Sequence, residues 1–352
     1  MKTIINLPKY ADKLPINKKK LFYRLYSVQD DFGLLKLPEE MKPWVKKKFG
    51  SIKAVEKQKI IRIDNNITCE TALFNELRAN VPINMKSDSE VKKIIKDQEG
   101  GFFCNLDSQT ANDVFGRIIG DKSKTASNIA KYDALHGIVV FDKHNPLGFK
   151  EKDVSDYFKT ANKWIKEANA MDKKRVYPYV LWNCLWRAGS SIVHGHMQII
   201  LGKERHYGEI ERLKRFSEGY KIAFKSNYFE DLYSVHEAVG LGFKKNENKI
   251  FMNLTPRKEK EVMIIGSDLE SVSSAVYKVL KAYLKLGVQS FNVGIYLSPL
   301  DNSWNFPLVV RIVDRGNLNV KTGDFGGLEV FAGTSVIASD PYKVFEKVKK
   351  SF

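Results

Sequence analysis

The stretch that decides the fold is Asn183–Gln198, which reads N-C-L-W-R-A-G-S-S-I-V-H-G-H-M-Q. It contains two of the six histidines of the chain, and a glutamine follows shortly after the second. Because successive side chains of a β-strand point to opposite faces, His194, His196 and Gln198 would lie in a row on one face. A glycine–serine turn comes directly before this row. The pattern therefore predicts a strand over Ile192–Leu201 that carries a polar row.

Three kinds of chemistry fit this polar row. Alternating histidines on a strand can bind zinc, although the local spacing fixes no third ligand. Two buried histidines can also be structural, with their nitrogens bonded to backbone carbonyls. The third is nucleophilic attack on phosphorus by a neutral imidazole whose other nitrogen is held as a donor. This last interpretation is preferred because Ser190, Ser191, Asn183 and Gln198 then serve as donors to phosphoryl oxygens.

The charge of the chain favours an anionic ligand. Its 352 residues include 58 Lys and Arg against 41 Asp and Glu, a formal net charge of +17. Such a balance is typical of proteins that bind nucleotides or nucleic acid, and also of a solvated lysine-rich surface. The lysine runs are scattered and no nucleic-acid-binding motif is present, so we expect small anionic ligands and no nucleic acid.

The three cysteines, Cys69, Cys104 and Cys184, indicate a reducing compartment. Their number is odd and no C-x-x-C pair occurs, which argues against a disulfide framework and against a four-cysteine zinc site. The first residues lack the apolar core of a signal peptide, and no run is long enough to span a membrane. We therefore expect a cytoplasmic protein that does not contact membranes.

The order of the predicted elements repeats along the chain. In the first copy a strand at Gly137–Phe141 precedes an amphipathic helix over about Lys152–Asn169, and strands follow at Val176–Trp182 and Ile192–Leu201. The second copy has the same order. Its elements are a strand at Glu261–Ile265, a helix from Leu269 that Gly287 can end, and strands at Phe291–Leu297 and Leu308–Val313. The repeat predicts two related halves, 1–205 and 206–352, of which only the first carries the histidines.

The signature N-x(7)-S-x(2)-H-x-H-x-Q resembles that of the galactose-1-phosphate uridylyltransferase family, the HxHxQ branch of the histidine-triad superfamily. Suggestive flanking similarities are N-E-L-R-A at Asn75–Ala79, Val139–His144, and G-L-E at Gly327–Glu329. The resemblance implies an α+β fold of two histidine-triad-like halves, with a largely antiparallel half-barrel sheet and helices packed on it.

The resemblance also implies a two-step nucleotidyl transfer that requires no cofactor. His196 matches the nucleophile that carries the nucleoside monophosphate, and Ser191 and Gln198 match residues that contact the transferred phosphate. Further matches are residues that contact the nucleotide, the sugar phosphate or the sugar, namely Asn183, Asn128, Arg78 and Glu329. A family glutamate at the last of these positions can be supplied by the second subunit, so we expect a homodimer.

The chain departs from the family at several points. Gly195 replaces a common proline, and Gly101 stands where an early zinc-binding cysteine would be. Cys104, His144 and His194 are left as candidate zinc ligands. The family glutamine near Ser335 is replaced, so the hexose and the base are open. The preferred function is that of a galactose-1-phosphate uridylyltransferase that uses a UDP-sugar. The alternatives are an ADP-sugar or dinucleoside-polyphosphate phosphorylase and a catalytically silent nucleotide-binding protein.

Overall fold

The structure, a computed structural model, describes residues 2–79, 88–319 and 323–352. Its strands are β1 (Tyr26–Leu34), β2 (Lys57–Asn65), β3 (Thr71–Asn75), β4 (Ser123–Ser127), β5 (Leu135–Phe141), β6 (Tyr177–Cys184), β7 (His196–Gly202), β8 (Gly242–Lys245), β9 (Asn248–Met252), β10 (Val262–Gly266), β11 (Phe291–Tyr296), β12 (Leu308–Asp314) and β13 (Thr334–Ile337). Its α-helices are α1 (Leu7–Asp12), α2 (Ile16–Leu25), α3 (Lys42–Phe49), α4 (Ile52–Glu56), α5 (Glu76–Ala79), α6 (Asp88–Asp97), α7 (Leu106–Gln109), α8 (Glu151–Met171), α9 (Gly208–Phe224), α10 (Tyr228–Val239), α11 (Leu269–Lys285), α12 (Gly327–Ala332) and α13 (Pro341–Lys349).

A nine-stranded antiparallel sheet forms the framework of the molecule. Its strand order is β4-β5-β7-β6-β11-β12-β10-β9-β8. Without the edge strand β8, the sheet consists of two units of four strands with the same connectivity. Read inwards from the edges, these units are β4-β5-β7-β6 and β9-β10-β12-β11. The centre of this symmetry is the pair Leu181–Gly294, where the two inner strands meet. The sheet therefore joins the two repeated units edge to edge.

A second sheet of four strands has the order β1-β2-β3-β13. The first three strands are antiparallel neighbours along the chain, whereas β13 comes from near the C-terminus and pairs with β3 in parallel. Residues at the two ends of the sequence thus build one sheet. The division into 1–205 and 206–352 stays a prediction.

Two long helices cover one face of the large sheet. Helix α8 has ten buried positions, and α11 likewise buries a stripe along its length, as expected for amphipathic helices packed on a sheet. The backbone of Gly137 lies directly against Trp164 of α8, since a Cβ atom there would come within 2.4 Å of the ring. The opposite face, which we call the site face, carries His196 and Gln198. The architecture confirms the predicted α+β class.

Most of the predicted elements are confirmed within two residues, but the strand predicted over Ile192–Leu201 was wrong at its start. It begins at His196, and residues 192–195 are irregular, with bends at Ile192 and His194. The preceding strand β6 ends at Cys184, where Leu185 takes the left-handed conformation with φ 65° and turns the chain away. Residues 192–194 consequently have no strand partner on β6. None of the helices in the described ranges is long and apolar enough to cross a membrane.

Candidate active site

The loop between β6 and β7 positions the histidines. It turns at Leu185 and again at Gly189, whose φ of 89° suits glycine. The amide of Ser190 donates to the Leu185 carbonyl at 3.3 Å, and the Ser190 hydroxyl donates to the Ile192 carbonyl at 2.6 Å. The hydroxyl of Ser190 therefore closes the loop, whereas Ser191 is exposed.

The imidazole of His196 has one nitrogen held and one without a hydrogen-bond partner among the described residues. Its Nδ1 lies 2.8 Å from the carbonyl oxygen of His194, which can only accept, so Nδ1 carries the proton in the neutral ring. Burial lowers the pKa of His196 to about 4, which keeps the ring neutral near pH 7. The ring of Phe103 packs edge-on against it at 5.1 Å. The remaining nitrogen, Nε2, thus keeps the lone pair that a nucleophile needs.

Gln198 lies two residues further along β7 and is also buried. Its Oε1 is 3.2 Å from Nε2 of His136, a fully buried histidine on the neighbouring strand β5. Asn128, which follows β4, contacts the same His136 nitrogen through its amide at 3.2 Å. Gln198 and Asn128, which are both predicted site residues, therefore contact the same residue, His136, which the sequence did not indicate as part of the site.

Asn183 lies on β6 beside the Gly189 turn. Its Oδ1 accepts from the amide of Asn292 at 2.6 Å, and the same amide group donates to the Ala188 carbonyl at 2.9 Å. Arg315 in turn donates to Asn292 and forms a two-pronged ion pair with Asp324. A polar chain therefore runs from the signature to the second half of the molecule.

Gly195 separates the two histidines because the backbone there is enclosed. A Cβ atom at this position would come within 2.6 Å of the Phe141 ring and 3.3 Å of Pro146. The Phe141 ring cannot yield easily, because it stacks face to face on Tyr157 at 3.6 Å. The close approach leaves no room for a side chain at position 195 unless its neighbours move.

His194 contacts two other potential metal ligands. The Sγ atom of Cys104 lies 3.3 Å from Nδ1 of His144 and 3.4 Å from Nδ1 of His194, and the two Nδ1 atoms are 3.3 Å apart. The Nε2 atoms of His144 and His194 donate to the carbonyls of Ile95 and Phe141 at 2.6 and 2.7 Å. Within the described ranges this is the one such cluster of three or more ligand side chains.

These three side chains fit a zinc ion. The Nε2 atoms of His144 and His194 donate to carbonyls, so their Nδ1 lone pairs face the Cys104 sulfur. Backbone carbonyls orient zinc-bound histidines in proteins in the same way. The Gly100 amide donates to the Cys104 sulfur at 3.3 Å, a contact that orients the sulfur. The separations of 3.3–3.4 Å suit ligands that share one tetrahedral ion.

The structure does not bring Arg78 and Glu329 to His196. Arg78 is exposed on the short helix α5, and no hydrogen bond or ion pair links it to the histidines within the described residues. Glu329 on α12 pairs with Lys258 at 2.7 Å. It lines a cleft of about 230 Å³, together with Glu70, Glu209, Arg257, Arg311 and Ser335. Neither His196 nor Gln198 is among the residues that line this cleft.

The chain is similar in fold to three solved structures. An ADP-glucose phosphorylase from Arabidopsis thaliana is 15% identical with a TM-score of 0.62, and the match covers 83% of this chain and 98% of that one. A GALT-like protein from the same plant is also 15% identical, with a TM-score of 0.57 and coverage of 72% and 92%. A uridylyltransferase matches at 15% identity and a TM-score of 0.58, over 82% and 97%.

These similarities confirm the fold that the signature predicts. No family model matches the chain, and no curated protein matches it. At such low identity the structural likeness establishes the fold and leaves the reaction to be argued from the side chains of the site.

Sequence reasoning missed His136, Asn292 and Phe103. None of them belongs to the signature, and each reaches the site through strand pairing or loop packing. The one available signal was the position of His136 directly before the apolar strand G-I-V-V-F, since a histidine there shares a face with Ile138 and Val140.

Proposed function

We propose that the protein is a nucleotidyltransferase that works through a covalent nucleotidyl-His196 intermediate. The observation that carries the proposal is the state of this imidazole: Nδ1–H is fixed on the His194 carbonyl, and Nε2 is free on the site face beside Gln198. A neutral ring held in this tautomer is suited to attack at phosphorus. Asn183, Ser191 and Gln198 are proposed to contact the nucleotide and its phosphates.

The transfer proceeds in two balanced steps. First, Nε2 of His196 attacks the α-phosphorus of the donor, and the bond from that phosphorus to the leaving phosphate oxygen breaks. The sugar 1-phosphate leaves with the electron pair. Second, a phosphate oxygen of the acceptor attacks the same phosphorus, and the bond to Nε2 breaks to restore the neutral ring. Gln198 donates to the oxygens whose negative charge grows in each transition state.

The proposed donor is a UDP-sugar and the proposed acceptor is a hexose 1-phosphate, galactose 1-phosphate first among them. The signature and the fold shared with a uridylyltransferase support this choice. The likeness to an ADP-glucose phosphorylase supports the second candidate, in which an adenylyl group passes from an ADP-sugar to inorganic phosphate. A dinucleoside polyphosphate is a further donor for the same chemistry, and a silent nucleotide-binding protein is the remaining alternative.

We also propose that Cys104, His144 and His194 bind one zinc ion. The ion would fix the loop that carries His196, because His194 supplies both a ligand nitrogen and the carbonyl that holds the His196 ring. The chemistry that zinc would supply here is structural: it joins the residues after α6 to the start of β7. The transfer itself requires no metal.

A cytoplasmic homodimer is the proposed working form. The family resemblance supports it, as does the surface around Glu329, where Val330 and Phe331 are 61% and 91% exposed. Exposed apolar side chains beside a residue proposed to contact the sugar suit a subunit contact.

Transfer of a labelled phosphate to the protein tests the proposed function. The protein is incubated separately with UDP-glucose, ADP-glucose and ATP labelled in the α-phosphate, and acid-labile, base-stable label on the protein is measured. We expect label from one donor, which identifies the base. His196→Gly should abolish labelling, and His194→Asn should weaken it.

A matched control comes from His206, a second buried histidine that does not touch the site. His206→Gly should keep full labelling if it stays folded, as judged by thermal unfolding. Labelling of the His196 variant at the wild-type rate would refute the assignment of the nucleophile. Nucleotide binding without any label would favour the silent protein.

A further inference from the structure

His136 is a buried residue that the proposed reaction does not yet use. It lies on β5 with no exposed surface, and the ring of Tyr132 covers it at 4.6 Å. The backbone amide of Tyr132 points at Nδ1 of His136 at 3.0 Å. Because an amide N–H can only donate, Nδ1 is the acceptor and carries no proton.

The tautomer of His136 fixes the direction of its second hydrogen bond. With Nδ1 unprotonated, the proton of the neutral ring is on Nε2, which must donate. Two amide groups lie 3.2 Å from Nε2: the Asn128 nitrogen is itself a donor and cannot accept the proton, so the acceptor is Oε1 of Gln198. The amide of Gln198 is therefore held with its oxygen towards His136 and its NH₂ group turned away. This assignment follows from the Tyr132 backbone amide, which can only donate to Nδ1 of His136.

The NH₂ group of Gln198 is left for a ligand. Gln198 is buried, with 7% of its surface exposed, and yet this NH₂ group has no hydrogen-bond partner within the described residues. It lies on the same face as the free Nε2 of His196, two residues away on β7. Burial also lowers the pKa of His136, although the bond to Gln198 opposes this, so the ring stays neutral.

Charged groups around His136 do not disturb this arrangement. Lys131 bonds to the His136 carbonyl and to Ser127, and Asp113 is held by Ser127 and by Trp164 of the packed helix. Asp133 pairs with Arg175. Each nearby charge therefore has its own partner, and the ring faces a neutral amide.

We propose that His136 is a positioning residue that holds the Gln198 amide with its NH₂ group towards the phosphate in transfer. The inference rests on the proposed function, in which that phosphate is bound to His196. Without the imidazole the amide is free to turn and to present its oxygen, an acceptor that repels phosphoryl oxygens. The donor that stabilises the transition state is then lost.

A double-mutant cycle tests this inference, with the rate of His196 labelling at saturating donor as the readout. His136→Leu should lower that rate about 10- to 100-fold, close to the loss for Gln198→Leu, because an oriented transition-state donor accounts for about 10²- to 10³-fold. The donor concentration for half-maximal rate should change less than about threefold. If the effect of His136 on the rate passes through Gln198, the double variant should be no slower than Gln198→Leu.

Two further variants separate positioning from folding. His136→Gln keeps one donor and one acceptor and should restore the rate to within about threefold of the wild type. His206→Leu removes a buried imidazole away from the site and should leave the rate unchanged. Nitrogen-15 NMR of the His136 ring should show a proton on Nε2 alone.

The outcomes are distinguishable from failure of the proposed function. If the wild type takes no label from any donor, the nucleotidyl-histidine mechanism itself fails. If the wild type is labelled but the losses of the two single variants add in the double variant, the positioning role is overturned. It is also overturned if the NMR shows the proton on Nδ1, or if His136→Leu is labelled at the wild-type rate.

Discussion

The two units of the large sheet place different chemistry on equivalent points of one framework. A single row of paired residues runs across the four central strands, from Gln198 through Leu181 and Gly294 to Arg311. Because Leu181 and Gly294 pair at the centre, Gln198 and Arg311 lie at equal distances from it. By the same register His196 corresponds to Val309, and His136 corresponds to Glu261.

The difference lies in which polar groups are left free. In the first unit the pair His136–Gln198 is neutral and leaves an NH₂ group without a protein partner. In the second unit Arg311 bonds twice to Glu261, at 2.6 and 3.0 Å, and once to Glu70 at 2.8 Å. The buried polar pair of the first unit is therefore available for a ligand, whereas that of the second joins the two sheets. One framework thus carries a polar pair with a donor left for a ligand in one unit, and a buried ion pair between protein groups in the other.

The largest expected effect comes from exchanging the residues at the His196 position. His196→Val gives the first unit the type of residue that the second unit has, and should lower nucleotidyl transfer by about 10⁴-fold or more. Val309→His should create no labelled histidine, because the second unit offers no free donor beside it. Mass spectrometry of labelled peptides checks both outcomes. Label on residue 309 would break the comparison.

The second prediction concerns the ion pair of Arg311. Arg311→Met leaves Glu261 buried without its partner and should lower the free energy of unfolding by about 3–5 kcal/mol. The double variant Glu261→Leu/Arg311→Met should recover part of that loss, because a buried ion pair replaced as a whole costs little. Urea unfolding measures both values. A double variant as unstable as the single one would show that Arg311 acts through other contacts.

Metal binding should also separate the two units. The wild type is expected to hold one zinc ion per chain by atomic absorption, and Cys104→Ser should lose most of it. A ligand present at a hundredfold excess over its dissociation constant stabilises the fold by about 2.7 kcal/mol, so chelation should lower the unfolding midpoint. Cys69→Ser, which alters a cysteine outside the cluster, should keep the metal. Equal zinc content in both variants would exclude the proposed ligand set.

Local periodicity predicted much of the fold and part of the site. The apolar spacing of α8 and α11 and the alternation on β7 are properties of neighbouring residues, and the elements and the shared face of His196 and Gln198 followed from them. The parallel pairing of β13 with β3 joins distant parts of the chain, and no local pattern encodes it. For the same reason the contact of His136 with Gln198, and the position of Glu329 in the second cleft, required the structure.

The smallest expected effect is the pH dependence that His136 contributes to stability. Burial lowers the pKa of His136 below its usual value of 6.5, so the unfolded chain takes up a proton at a pH where the folded chain does not. The contribution of His136 to stability is therefore complete above about pH 6.5 and is lost as the pH falls towards its folded pKa, by at most about 1.4 kcal/mol per pH unit. Unfolding midpoints of His136→Gln, measured between pH 7.5 and 5.5, should fall less steeply than those of the wild type. Val309→Ala, which changes no ionisable group in the second unit, should keep the wild-type slope. If His136→Gln also keeps that slope, burial does not lower the pKa of the His136 ring. The contrast between a neutral pair in one unit and a charged pair in the other then fails.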